Sequence, residues 1–222
     1  PEVTASVRIT VLPVLTAGSI AASQTICRGA TPDPLTSAAG ASGGTGTFAY
    51  QWESSVDNTT WSPIGGATGP TFAPGPLTVT TYFRRQVTAG SCGPVTSNVV
   101  TITVLPALTA GAIAADQTIC RGDTPARLTN ATAPTGGTGS YTFQWESSPD
   151  NSTWAAIPGA TGAEFAPGPL NTTTYFRRRV TSGSCGTEVS ASVAITVLPD
   201  LVAGTIGADQ DICSGTAPAP LS

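Results

Sequence analysis

The sequence contains no histidine and no lysine; its nine basic residues are all arginines, at positions 8, 28, 84, 85, 121, 127, 177, 178 and 179. Without histidine, neither a serine–histidine–aspartate nor a cysteine–histidine nucleophilic arrangement can be assembled. No catalytic residue is therefore expected. Charged residues make up only 10% of the chain, the formal net charge is -4, and no basic stripe is present to neutralise phosphates. Nucleic-acid binding is excluded on that ground. No run of 18 apolar residues exists to form a membrane-spanning helix. There is no CxxC pair, and a structural zinc site needs four closely spaced ligands, so neither a metal nor any other cofactor is expected. Helical periodicity is missing as well. With 40% hydrophobic residues and regularly spaced aromatics, the chain nevertheless has the composition of a folded protein.

What is present is a repeat. Tyr50-Gln51-Trp52-Glu53-Ser54-Ser55 returns as Phe143-Gln144-Trp145-Glu146-Ser147-Ser148, 93 residues later. The same offset relates Cys27 to Cys120 and Cys213, Cys92 to Cys185, Pro13 to Pro106 and Pro199, and Tyr82-Phe83-Arg84-Arg85 to Tyr175-Phe176-Arg177-Arg178. A period of 93 residues is long enough for a small domain with its own core, unlike the shorter coils of solenoids. The expected boundaries are a repeat at 14–106 and another at 107–199, with 1–13 as the last strand of a preceding repeat and 200–222 as the start of a following one.

Within a repeat the pattern is that of strands. Val7, Ile9 and Val11 alternate with Arg8 and Thr10, and the pattern recurs as Val100/Ile102/Val104 and Val193/Ile195/Val197, each run ending at a proline. That proline restricts both itself and the leucine before it to extended geometry, which predicts short, semi-rigid junctions. Phe48, Tyr50 and Trp52 mark the best core strand, Val56 to Thr60 a turn, Thr60 to Ile64 a short strand, Tyr82 to Thr88 a long one, and Gly90 to Pro94 a turn into the final strand. About seven short strands per repeat, with turn signals every 8 to 12 residues, predict an all-β sandwich.

A core tryptophan on the third strand, a tyrosine opening the sixth at a Pro/Leu corner, and an alternating Val/Ile final strand match the layout of tandem Ig-like β-sandwich domains. More narrowly, Gln24-Thr25-Ile26-Cys27-Arg28-Gly29, the Tyr50–Trp61 stretch, Pro74-Gly75-Pro76-Leu77, Tyr82–Arg85 and Thr101–Pro106 resemble the tandem Ig-like or PKD-like repeats of large Bacteroidota cell-surface proteins. Those include gliding-motility adhesins and other type IX secretion cargo. The resemblance implies a structural stalk of many copies, extracellular and displayed at the cell surface, whose partners are neighbouring repeats of the same chain. The alternative is an accessory carbohydrate-binding module of a secreted polysaccharide-degrading enzyme. Lateral self-association into a filament through open strand edges is a third possibility.

Two cysteines per period at fixed positions read as disulfides in an oxidising compartment, assigning Cys27, Cys92, Cys120 and Cys185 to bridges. If the topology is Ig-like, Cys27 and Cys92 lie at opposite poles, too far apart for a bond that requires Cα atoms within about 7 Å. Two pairings remain open: Cys27/Cys92 with Cys120/Cys185 inside the repeats, or a staggered pair such as Cys27/Cys185 between them.

Trp61 and Trp154 are the candidate platforms for a glycan, weighed against a partly buried structural role. The Arg84-Arg85 doublet spans both faces of a strand, so one guanidinium must turn towards the sandwich, where Trp61 or Tyr82 would receive it. Glu53 is expected to face solvent and pair with the outward arginine. Asp57-Asn58 and Asp150-Asn151 supply too few oxygens for calcium. Arg121-Gly122-Asp123 has no counterpart in the other copies and reads as chance.

Overall fold

The computed structural model describes residues 7–207 and 209–220. The first repeat contains eight strands: β1 (Ser19–Ile20), β2 (Gln24–Cys27), β3 (Ser37–Ala39), β4 (Ala49–Ser55), β5 (Ser62–Pro63), β6 (Thr81–Ala89), β7 (Cys92–Thr96) and β8 (Val100–Leu105). One sheet runs β2-β8-β6-β4-β5, with β7 also paired to β6. The facing layer consists of β1 paired with β3, extended by the bridges Thr16↔Ser42 and Leu35↔Phe72. The first segment therefore changes sheets: β1 lies against β3, while β2, after Ala21–Ser23, runs parallel to β8. That pairing is an immunoglobulin-like sandwich, as the resemblance implied.

The second repeat reproduces it with β9 (Ala112–Ile113), β10 (Gln117–Cys120), β11 (Asn130–Thr132), β12 (Thr142–Ser148), β13 (Ala155–Ala156), β14 (Thr174–Thr181), β15 (Thr187–Val189) and β16 (Val193–Leu198), in the sheet order β10-β16-β14-β12-β13. No α-helix occurs among the described residues. By contact the chain forms two compact units. One takes in the first repeat with Thr132–Phe143 and Arg179–Ser190 of the second; the other takes in Ile113–Ala131, Gln144–Arg178 and the chain from Ala191 on.

The core of the first repeat is built on Trp52, which is 0% exposed and packs with Ile20, Leu35, Phe83, Val100 and Ile102. Its indole N–H donates to the Gly69 carbonyl at 3.0 Å, so the one polar atom of the ring is satisfied inside the sandwich. Phe72 bridges the two layers, with ring centroids 5.8 Å from Trp52 and 5.9 Å from Phe83. Trp145, Phe165 and Phe176 repeat the stack in the second copy. Gly43, at φ 84°, allows the loop before β4 to pass the Val14 carbonyl, which a Cβ would overlap.

Three expectations need correction. The stretch Gly90 to Pro94 is not one turn: only Gly90-Ser91 turn, and Cys92–Thr96 forms β7, which pairs back on β6 before β8 begins. Ser97 makes this possible. Its N–H donates to the Arg85 carbonyl and its Oγ accepts from the Arg85 N–H, both at 3.0 Å, so β6 stays satisfied while the chain changes partner. Residues 7–13 form no strand, and Val7, Ile9 and Val11 are 88–91% exposed. Their counterparts in β8 are held by pairing with β6 and β2, and no described strand pairs with 7–13. Residues 1–6 of that expected strand lie outside the described residues. Finally, Thr60 to Ile64 contributes only the two-residue β5.

The segment 200–222 shows a local likeness to the repeats. Gln24 closes a loop on Asp33 by accepting its N–H at 2.8 Å and donating to its carbonyl at 3.0 Å; Gln117 does so with Ala126 and Gln210 with Ala219.

Candidate functional site

Chemistry in each repeat concentrates at three places: the outer face of β4 and β6, the interior beside Trp52, and the ends where the cysteines stand. On the outer face, antiparallel pairing sets Glu53 opposite Arg84. The Arg84 Nε lies 2.6 Å from Glu53 Oε2, and Gln86 Nε2 donates to Oε1 at 2.8 Å. Glu53 is thus buried rather than solvent-facing, because Arg84 and Gln86 cover it. The Arg84 guanidinium then lies 4.2 Å from the Trp61 ring centroid, and Arg177 does the same to Trp154. Trp61 and Trp154 are half-buried, each with an arginine over its ring.

The inward arginine is Arg85, and it is not received by Trp61 or Tyr82. It is 0% exposed, beside Tyr50 and Trp52, with its guanidinium carbon 4.8 and 5.5 Å from their ring centroids. Its Nη1 donates to Ser37 Oγ at 2.8 Å and to the Pro70 carbonyl, and its Nη2 to the Ala17 carbonyl at 3.2 Å. Burial pushes the guanidinium below its ordinary value, since desolvation disfavours the charged form. Arg178 repeats the arrangement, donating to Asn130 Oδ1 at 2.5 Å and to the Ala163 carbonyl. Alternation alone placed one arginine inward; the carbonyls that receive it come from loops remote in sequence.

Asp57 and Asp150 are turn caps. Asp57 Oδ1 accepts the N–H groups of Thr59 and Thr60 at 2.8 and 2.7 Å and the Ser55 hydroxyl at 2.8 Å, while Asn58 takes φ 60°. These bonds hold the Asp57 carboxyl well below the ordinary carboxylate range. A lowered folded pKa adds stability above the unfolded value, about 3.9, and that contribution is lost as pH falls below it towards the folded value. The double variant Asp57→Ala/Asp150→Ala is accordingly expected to melt below the parent at pH 7, the gap narrowing as pH is lowered below about 4. Melting followed by circular dichroism across pH 2–7 checks this; a gap independent of pH contradicts it. In Arg121-Gly122-Asp123, Arg121 pairs with Asp200 at 3.2 Å and Asp123 accepts the Cys120 N–H at 3.2 Å, which folds the tripeptide into the same turn as Arg28-Gly29-Ala30.

The cysteines resolve the open alternative in favour of the staggered pair. Cys27, ending β2, is bonded to Cys185, which closes the 3-10 turn Gly183–Cys185 between β14 and β15, with Cα atoms 5.2 Å apart and 158 residues of separation. Cys27/Cys92 and Cys120/Cys185 are therefore not formed; Cys92, Cys120 and Cys213 are thiols in this structure. The pole separation holds: Cys27 pairs with Leu105 at one end of its sheet, whereas Cys92 pairs with Ala89 at the other and packs near Leu15, Val87 and Ala89. Alkylation of the unfolded, unreduced chain is expected to label three cysteines, at 92, 120 and 213. Labelling of Cys213 alone would mean within-repeat pairs.

Strand pairing, repetition and this bridge define a tandem immunoglobulin-like β-sandwich protein. The chain belongs to the family described as Domain of unknown function (DUF8696), whose model matches it twice, at residues 16–106 and 109–199. Comparison with curated proteins finds no match. Among solved structures it is similar to three N-terminal domains of the bacteriophage RB49 highly immunogenic outer capsid protein, at 10% identity and TM-score 0.46, covering 85% of this chain and 70% of that one. It is similar also to titin domains A168–A170, at 14% identity and TM-score 0.47, covering 79% of this chain and 62% of that one. Neither likeness carries an argument at these scores, and the fold assignment rests on the strand pairing. No helix of the described residues is long and apolar enough to cross a membrane.

Proposed function

We propose that the chain is a run of stalk repeats from a large extracellular adhesin or surface filament, whose work is mechanical: to hold a binding end away from the cell. The observation that carries this reading is the Cys27–Cys185 bridge, which ties one 93-residue repeat to the next instead of closing a loop inside either. A bond so placed resists separation of neighbours, and its presence fits an oxidising compartment outside the cytosol. The repeats are proposed to span 14–106 and 107–199, with 1–13 ending a preceding copy and 200–222 opening the next. The Gln210–Ala219 loop, built as in the two complete repeats, supports the last of these. The motif resemblance favours the Bacteroidota surface-protein type, including gliding-motility adhesins.

Antibody raised against the 222-residue chain is expected to label intact cells of its source, and brief protease treatment of those cells to remove the label. Labelling only after permeabilisation overturns the reading. Sedimentation of the purified chain reports sideways association. Retention on an insoluble polysaccharide that is lost in Trp61→Ala would replace the stalk with the accessory carbohydrate-binding module; the guanidinium stacked on each ring is the reason to expect no retention.

A further inference from the structure

Both halves of the bridge recur with thiols in them. Cys120 ends β10 as Cys27 ends β2, and each is followed by the same turn, Ala30 N–H to Cys27 O at 3.0 Å and Asp123 N–H to Cys120 O at 3.1 Å. The depression beside Cys27 is lined by Arg28, Pro106, Ala107 and Leu108, and by Cys185 and Glu188 from across the junction. Beside Cys120 lies a depression lined by Arg121, Pro199, Asp200 and Leu201, the same four positions one period later. Cys92 in turn has the setting of Cys185. A Cβ built on Gly44 would lie 3.6 Å from the Cys92 Cβ, and one built on Gly137 would lie 3.6 Å from that of Cys185.

Resting on the stalk reading, we propose that Cys120 bonds the cysteine 158 residues beyond it and Cys92 the cysteine 158 residues before it, so that staggered bridges turn the array into a two-track covalent ladder. Each bridge forms when a Cys120-type thiolate attacks the disulfide of a protein thiol oxidant, giving a mixed disulfide. The facing Cys92-type thiolate then displaces the oxidant as its dithiol. Two protein thiols lose two protons and two electrons, and the oxidant's disulfide gains them.

The ladder determines which residues bear load. Along one track the covalent path enters at a Cys27-type residue, crosses to the Cys185-type residue and follows the backbone to the next Cys27-type residue, a span of 28 residues equal to Cys92–Cys120. It then crosses again. Each track thus spends 28 residues on two repeats, and the second track runs beside it one repeat out of step. The 65 residues from Cys27 to Cys92, with Trp52 and Arg85 among them, form slack rungs between the tracks. The load-bearing span already contains β7, β8, β9 and β10, so much of it is extended before any force is applied. A stalk of this kind hardly lengthens even when its domains unfold.

Force spectroscopy on the parent protein's array, over at least four repeats, tests this. Without reductant the fully stretched array is expected to reach about 50 Å per repeat, and with reductant about 320 Å, roughly sevenfold more. Within-repeat pairing would give about 100 Å per repeat, twice the expected value, and would overturn the ladder. Serine in place of one bridging cysteine leaves the stretched length unchanged because the other track is intact, whereas the same change at two successive junctions releases hidden length. Lengthening after a single substitution also overturns it. A sevenfold extension without reductant removes the ladder and leaves the stalk reading, while failure of surface labelling removes the stalk reading and leaves the ladder.

Discussion

Trp52→Ala is expected to destabilise the first repeat by about 3–5 kcal/mol, the usual cost of deleting a fully buried large aromatic side chain. Three losses combine. The indole leaves a cavity among Ile20, Leu35, Phe83 and Ile102, Phe72 loses its stacking partner, and the Gly69 carbonyl loses its donor. Domains of this size hold about 5–15 kcal/mol in total, so the substitution takes a large share of it. Urea unfolding followed by circular dichroism measures the loss. Trp61→Ala serves as the control: a half-buried ring on the outer face of the sheet should cost clearly less. Equal costs for the two tryptophans would contradict the assignment of Trp52 to the core.

Arg85→Ala is expected to cost a comparable amount, about 3–5 kcal/mol, for a different reason. The guanidinium fills space beside Trp52 and supplies donors to Ser37 and to the Pro70 and Ala17 carbonyls; alanine leaves both a void and unpaired acceptors. Arg85→Met restores most of the volume without the donors and should recover part of the loss, because burying a guanidinium is itself costly. Arg85→Lys should fall between alanine and the parent, since one ammonium cannot reproduce a planar fork aimed at separate acceptors. The order expected in denaturant midpoints is Arg, then Lys and Met, then Ala. A variant series in which alanine matches arginine would mean that the buried fork holds nothing together.

The pairing of these two residues also shows how far the sequence could be read. Trp52 was legible as core because Phe48, Tyr50 and Trp52 alternate and the whole motif returns at Trp145. The Arg84-Arg85 doublet was legible only in part. Period-2 geometry requires adjacent residues to face opposite sides, so one arginine had to turn inward, but the receiving groups sit in the loops and strands at Ala17, Ser37 and Pro70. Glu53 was misplaced for a related reason: a carboxylate on an outer face is exposed only if its cross-strand neighbours leave it uncovered, and Arg84 with Gln86 does not. The strand β7 was hidden because Gly93-Pro94 reads as turn, whereas Ser97 supplies the bonds that let the chain run along β6 first.

By itself the sequence determined the 93-residue period, the all-β class, the core strand at Trp52 and the absence of histidine-based catalysis, since these follow from residue identity and local alternation. The choice between cystine pairings belonged to the tertiary structure. Spacing along the chain is the same for a bond within a repeat and a bond between repeats; only the fold puts Cys27 and Cys92 at opposite ends of one sheet and brings the turn carrying Cys185 to within 5.2 Å, Cα to Cα, of Cys27.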